Sequence, residues 1–273
     1  MLRIMLNMQK LICQINQMAP IGLDDMKAVR LMNRVDQKYM ASADVLEELL
    51  SRIADGYYVQ QIKGNPLAPY RTLYFDTDNL RMYTMHHNQK LNRQKLRVRT
   101  YRSTDTTFFE IKNKDNKGKT RKVRIPVDVS MFDHVLDVPE VRQFVDQNTP
   151  WPVASLHECL ENRFERITLV DKGMSERVTI DRGICFHNRA SGIDADISRL
   201  LVIEVKHEVG APASDIERAL HELHILPRRM SKYCIGTALT DPSAKSNRFK
   251  EKLLYIKKVT AADPAETDRT CRG

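Results

Sequence analysis

Cationic side chains recur at every second position in several short segments of this sequence. In the segment 95–101, Lys95, Arg97 and Arg99 alternate with Leu96 and Val98. A β-strand points successive side chains to opposite faces, so the three cations share one face and the two apolar residues share the other. Cations gathered in this way can bind the oxygens of a phosphate-rich anion.

The same alternation recurs in at least six predicted strands. Nine cations collect at the charged positions: Lys38, Arg97, Arg99, Lys112, Lys122, Arg124, Arg166, Arg177 and Lys206. Four carboxylates share those faces: Asp36, Glu110, Asp181 and Glu204. An excess of five positive charges follows.

Two sheet geometries accommodate such faces. In an open antiparallel sheet they are simply the solvated side. In a sheet that curls into a barrel they line the interior, and the apolar sides face outward under helices. Enclosed like charges repel strongly, so that interior requires an anion of comparable charge. The recurrence over six strands favours the second geometry, a tunnel with a polar, basic interior in an α+β fold.

The remaining elements divide the chain into three parts. Residues 1–23 are predicted to form an amphipathic docking helix or an extended N-terminal segment before the domain, and residues 24–258 the tunnel domain. Ser42 is predicted to cap a helix, and a capping box at Ser214 opens another. Residues 259–273 are polar without periodicity, which predicts a disordered tail.

Composition limits the classes of partner. Lys and Arg number 44 against 35 acidic residues, a net charge of +9, which favours anionic ligands. Nucleic acid is not expected, because aromatic residues are only 7% and the cations follow strand positions. Five scattered cysteines predict reduced thiols in a cytosol, and no stretch is long enough to cross a bilayer. We expect a cytoplasmic protein, at most peripheral to a membrane.

Several spaced strings resemble a known family, the VTC domain, the polyphosphate polymerase branch of the triphosphate tunnel metalloenzymes with a CYTH-like fold. The strings, which run in order within about 24–240, are Arg34-x-Asp36-x-Lys38-Tyr39, Tyr74-Phe75-Asp76-Thr77, Lys95-Leu96-Arg97-x-Arg99-x-Tyr101, Glu110-x-Lys112, Glu204-x-Lys206 and Ser231-Lys232-Tyr233. The resemblance implies an antiparallel eight-stranded β-barrel with helices packed outside.

The resemblance also implies roles for individual residues. The nucleotide triphosphate and the growing chain would be held by Lys38, Arg97, Arg99, Lys112, Arg166 and Arg177. Lys232 and Ser231 would contact phosphate near the tunnel mouth, and Glu204 would hold a divalent metal, Mn²⁺ or Mg²⁺. Further substrate contacts would come from Lys122, Arg124 and Lys206.

The activity implied is transfer of the terminal phosphate of ATP onto inorganic polyphosphate. Two alternatives stay open: a tunnel hydrolase of inorganic or organic triphosphates, and a non-catalytic polyphosphate or nucleotide sensor. Related hydrolases begin with a Glu-x-Glu-x-Lys string, whereas Arg34 and Asp36 occupy the Glu positions here, which favours the polymerase. The SPX domain and membrane helices of the eukaryotic polymerases are absent, so membrane coupling would need a separate membrane protein partner.

Overall fold

The computed structural model describes residues 2–28 and 34–261, with side chains for 9–26 and 35–261. The strands are β1 (Ala19–Ile21), β2 (Arg34–Ser42), β3 (Tyr57–Gln60), β4 (Ala68–Asp76), β5 (Arg93–Tyr101), β6 (Thr106–Lys114), β7 (Thr120–Val127), β8 (His157–Asp171), β9 (Glu176–Asn188), β10 (Asp194–Asp196) and β11 (Leu200–Glu208). The α-helices are α1 (Leu2–Asn16), α2 (Leu46–Ile53), α3 (Arg81–His87), α4 (Pro139–Asn148), α5 (Asp215–Glu222), α6 (Lys232–Thr240) and α7 (Lys250–Thr260). Short 3-10 helices span Asp25–Ala28, Ala43–Val45, Ala54–Gly56, Val129–Asp137, Val153–Ser155 and Asn247–Phe249.

One sheet of 11 strands contains every strand of the described residues. Its main path runs β2-β11-β9-β8-β4-β5-β6-β7, and each neighbouring pair on that path is antiparallel. The short strands β1, β3 and β10 attach beside it. The predicted antiparallel α+β fold with external helices is therefore confirmed.

The prediction of a closed eight-stranded barrel is wrong in two respects. The sheet has 11 strands, and its end strands β2 and β7 do not pair with each other among the described residues. β7 has the character of an edge strand, because Pro126 lacks a backbone donor and Arg121 and Lys122 are exposed cations. The extra strands β1, β3 and β10 are only 3–4 residues long and left no alternation to detect.

The sheet nevertheless curls strongly around its charged face. Lys112 on β6 and Lys206 on β11 are five strands apart along the sheet, yet Lys206 lies close enough to lower the pKa of Lys112. Asp36 on β2 acts on the same lysine from the other end of the sheet. The charged face therefore lines a channel, which we call the cationic channel.

The opposite face of the sheet carries the apolar cores. Buried Ile180 and Ile203 pack beneath α1, α2 and α5 with residues such as Leu49. On the other side, Val98 and Phe109 pack with Val141 of α4. Burial of these side chains, each worth about 1.5–3 kcal/mol, fixes which face of every strand turns inward.

The first turn of helix α6 reaches the channel. Its Gly236 lies so close to the sheet that an added Cβ would come within 2.5 Å of Leu160 and Phe186 side-chain atoms. Buried Asp76 at the end of β4 accepts hydrogen bonds from the amides of Met82 and Tyr83 and from the Tyr233 hydroxyl. Asp76 thereby ties α3 and α6 to the sheet.

The structure describes the chain from residue 2 at the N-terminal end and as far as residue 261 at the C-terminal end. Helix α1 packs against α2 through buried Leu11 and Ile15, and Lys10 pairs with Glu47 at 2.6 Å. Residues 262–273 of the predicted disordered tail lie outside the described residues, and the domain boundaries remain predictions. No helix in the described part of the chain has the length and apolar character needed to span a membrane.

Candidate active site

The cationic channel is built from ion-paired groups, the first of which lies on β5, β6 and β7. The Arg97 guanidinium donates two hydrogen bonds to Glu110 Oε2, at 2.8 and 2.6 Å, and Lys122 Nζ donates to Oε1 at 3.0 Å. Antiparallel pairing places Arg97 opposite Glu110, and Glu110 opposite Arg124. The carboxylate, which is 1% exposed, therefore spaces the cations that surround it.

The second group joins β8, β9 and helix α6. Arg166 donates to both oxygens of Asp181, at 2.6 and 2.8 Å, and Lys232 also donates to Asp181. The Lys232 ammonium lies 4.3 Å from the centre of the Phe164 ring. Because Lys232 is the first residue of α6, the helix contributes its cation to the same carboxylate as the sheet.

An aromatic wall stands beside this group. The Tyr70 and Phe164 rings stack with centres 5.0 Å apart, and the Arg99 guanidinium lies 5.3 Å from the Tyr70 centre. Arg99 also donates to the Thr72 hydroxyl at 3.0 Å. Aromatic faces attract guanidinium groups, so the wall orients Arg99 and Arg166 without neutralising their charge.

The third group lies on β2 and β11. Lys38 donates to one oxygen of Glu204 and Lys206 to the other. Register places Lys38 opposite Glu204 and Asp36 opposite Lys206, so two carboxylates and two lysines alternate on adjacent strands. Arg177 of β9 lies opposite Lys206 and extends this group.

Crowding of like charges changes the proton affinity of these groups. Surrounding protein, together with Lys95 and Arg97, lowers the pKa of Lys112 to about 8, although solvent reaches its side chain. Burial and the neighbouring Lys206 and Lys232 lower the pKa of Lys38 to about 6. The channel without an anion therefore does not hold all of its positive charge near neutral pH.

The carboxylates respond in the opposite sense. Burial alone would raise the pKa of Glu110, but Arg97, Arg99 and Lys122 outweigh it and bring that pKa to about 2. Arg166 and Lys232 likewise overcome burial and hold the pKa of Asp181 well below its usual range. Both acids are therefore ionised at any physiological pH.

Every residue predicted for the site faces the channel or its rim. The strands supply Lys38, Arg97, Arg99, Lys112, Arg166, Arg177, Lys206 and Glu204, whereas Lys232 begins α6 and Ser231 is its N-cap. Lys122 and Arg124 lie on the exposed edge strand β7. The roles given to these residues remain predictions.

Two channel residues were missing from the predicted set. Lys95 continues the face of Arg97 and donates to the Ser231 hydroxyl at 2.9 Å, which links β5 to the start of α6. Tyr74 lies opposite Arg97, and the cations Arg97, Arg99 and Lys95 lower its pKa despite the opposing effect of burial. Strand alternation identifies the position of Lys95, whereas its contact with α6 is a tertiary feature.

The channel therefore carries eleven basic side chains against four carboxylates, a formal excess of seven positive charges when every lysine is protonated. Two of the cations, Lys95 and Lys232, were not among the nine counted from strand alternation. Each of Glu110, Asp181 and Glu204 is shared by two cations. Such an arrangement presents donors along a path and favours an extended, multiply charged anion.

Comparison with known protein families identifies the domain. The VTC domain matches residues 33–240. The chain belongs to the VTC domain family. No curated protein matches the chain.

A solved structure shows the same fold at low sequence identity. A proposed adenylyl cyclase from Hippeastrum, described as having a dominant triphosphatase activity, aligns with a TM-score of 0.51 and 14% identity, over 77% of this chain and 97% of that one. A proposed adenylate cyclase from Bacillus halodurans aligns with a TM-score of 0.46 and 16% identity, over 73% of this chain and 94% of that one. Membership in the VTC family supports an enzyme of the triphosphate-tunnel class.

Proposed function

We propose that this VTC domain is a polyphosphate polymerase, which moves the terminal phosphoryl group of ATP onto a polyphosphate chain inside the cationic channel. The observation that carries the proposal is the excess of cations along the channel wall. A chain of phosphates carries negative charge along its length and can therefore neutralise the positive charge along this wall. Inorganic polyphosphate and ATP are thus the substrates proposed.

The channel residues supply most of what phosphoryl transfer requires. That reaction depends on positioning and on neutralising charge at the transferred group, with little covalent chemistry asked of the protein. Arg97, Arg99 and Arg166 have planar donor groups that bind non-bridging oxygens in pairs. Since Glu110 and Asp181 fix two of these guanidinium groups, the arginines are oriented before substrate arrives.

A divalent metal fits one part of the channel. No group of three or more His, Cys, Asp or Glu side chains among the described residues could hold a metal by itself. Mg²⁺, however, is commonly held by one or two carboxylates together with substrate phosphates, and Glu204 with diagonal Asp36 suits that mode. A bound ion would offset the negative charge of the phosphate oxygens. Lys38 and Lys206, which now occupy both Glu204 oxygens, would then be available to phosphate.

The nearest alternative uses the same channel with water as the acceptor, which would make the protein a triphosphatase. The activity described for the Hippeastrum protein favours keeping this second candidate. Arg97 and Arg166 would hold the triphosphate equally well in either reaction. The two reactions differ only in the acceptor of the phosphoryl group, so the products distinguish a polymerase from a triphosphatase.

The test is a product assay with purified protein, ATP and Mn²⁺. Electrophoresis stained for polyphosphate should show long anionic chains, while free phosphate stays low. Arg97→Ala and Glu204→Ala should each abolish the chains, with circular dichroism confirming that the variants fold. Free phosphate without chains would overturn the polymerase in favour of the hydrolase, and neither product with tight tripolyphosphate binding would indicate a sensor.

A further inference from the structure

A cleft of about 740 Å³ opens at the edge of the sheet where β5 and β7 begin and β6 ends, beside helix α3 and the segment Pro150–Trp151. Its lining comes from both faces of the strands. Arg93 and Lys114 lie on the channel face, two residues beyond Lys95 and Lys112. Arg121 and Gln94 lie on the outer face. The cleft therefore begins where the cationic channel ends and continues over the rim of the sheet.

The charge of this rim cleft is strongly positive. Four cations line it, Arg93, Lys114, Lys119 and Arg121, against the single carboxylate of Asp115. That carboxylate is engaged within its own turn, where it accepts a hydrogen bond from the Lys119 amide at 2.8 Å. Within the described part of the chain, Lys114, Lys119 and Arg121 form no ion pair, unlike Arg97 and Arg166 in the channel. Their charge is thus left for a ligand.

Apolar groups give the cleft a fixed wall. The Trp151 indole nitrogen donates to Gln94 Oε1 at 2.7 Å, which anchors the ring beside Met85 and Pro150. The volume lies within the range of about 300–1,000 Å³ found for ligand sites. The cleft therefore combines an apolar wall with four cations, and a ligand bound there would lie beside Trp151.

The spacing restricts the ligand that can use the channel and the cleft together. Arg97 and Arg93 are four residues apart on one strand, which corresponds to about 13 Å. A ligand that contacts both must be an extended chain with charge along its length. We infer that the rim cleft binds the part of a linear polyphosphate chain that lies outside the channel. Because that chain enters only under the function proposed above, this role rests on that proposal.

Trp151 provides a direct readout, since it is the only tryptophan of the chain. Long-chain polyphosphate should change its fluorescence on titration, whereas tripolyphosphate, which reaches only the channel, should change it little. The double variant Lys119→Glu/Arg121→Glu should bind long chains about tenfold more weakly, because two exposed charge pairs are lost and each changes an equilibrium by up to about fivefold. Its affinity for tripolyphosphate, measured by calorimetry, should equal that of the wild type.

A matched control separates local binding from net charge. Lys257→Glu/Lys258→Glu makes the same charge change on exposed positions of α7, and it should leave long-chain affinity unchanged. Equal weakening in both double variants, or no weakening in either, would overturn the rim cleft. Absence of polyphosphate synthesis would refute the proposed function separately, because the Trp151 titration uses added polyphosphate and needs no turnover.

Discussion

Anion binding in the channel should be accompanied by proton uptake. In the free protein the pKa of Lys112 is about 8, because the surrounding protein and neighbouring cations disfavour its charged form, and partial burial with neighbouring cations brings that of Lys38 to about 6. A bound phosphate chain favours the charged forms and raises both values. At pH 8 Lys112 is half neutral, so its share of the uptake is about half a proton, and at pH 7 it falls to about a tenth.

The assay is calorimetry of tripolyphosphate binding in buffers that differ in ionisation enthalpy. Lys112→Arg keeps the positive charge but remains protonated at every accessible pH. Uptake at pH 8 should therefore be lower in the variant by about half a proton, with almost no difference at pH 7. The ligand's own protonation cancels in this comparison. Equal uptake by wild type and variant at pH 8 would refute the electrostatic account of the channel.

Three further substitutions test separate parts of the site. Glu110→Gln removes the buried carboxylate that pairs with half-buried Arg97 and should lower the free energy of unfolding at neutral pH by about 3 kcal/mol, measured by urea denaturation. Because folding lowers the pKa of Glu110 from 4.5 to about 2, the stabilisation that its carboxylate provides is present above pH 4.5 and disappears as the pH falls towards 2. The free energy of unfolding of the variant should lack this pH dependence. Parallel curves of unfolding free energy against pH for wild type and variant would contradict the ion pair. Gly236→Ala should cost about 1–3 kcal/mol by forcing α6 away from Leu160 and Phe186, and should weaken tripolyphosphate binding through displaced Lys232; unchanged melting and affinity would contradict the close packing. Glu204→Gln should abolish metal-dependent synthesis but tighten metal-free tripolyphosphate binding, because it removes a negative charge; weaker binding by calorimetry would count against this placement of Glu204.

The sequence predicted the charged faces well because strand alternation is a local property. Arg97, Lys112 and Arg166 occupy the inward positions that alternation assigns to them, and Val98 and Phe109 face the helices. The count of cations on those faces favoured a sheet that curls around them, and the sheet does curl, although its end strands do not pair among the described residues. The structure confirms an antiparallel curled sheet with helices on its outer side.

Long-range features could not be predicted in the same way. Whether the ends of the sheet pair depends on how β2 and β7 approach each other, which no local pattern encodes. The meeting of Lys232 with Arg166 at Asp181 depends on the close approach of α6, which Gly236 allows. The rim cleft likewise joins residues of α3, three strands and the Pro150–Trp151 segment.

The most direct test of the central claim is a crystal structure of the protein with tripolyphosphate and Mn²⁺. The account predicts phosphate groups inside the channel, within hydrogen-bond distance of Arg97, Arg99, Arg166 and Lys232, with the metal between Glu204 and phosphate oxygens. Tripolyphosphate bound on the outer surface, with the Arg97–Glu110 and Arg166–Asp181 groups left empty of ligand, would contradict it.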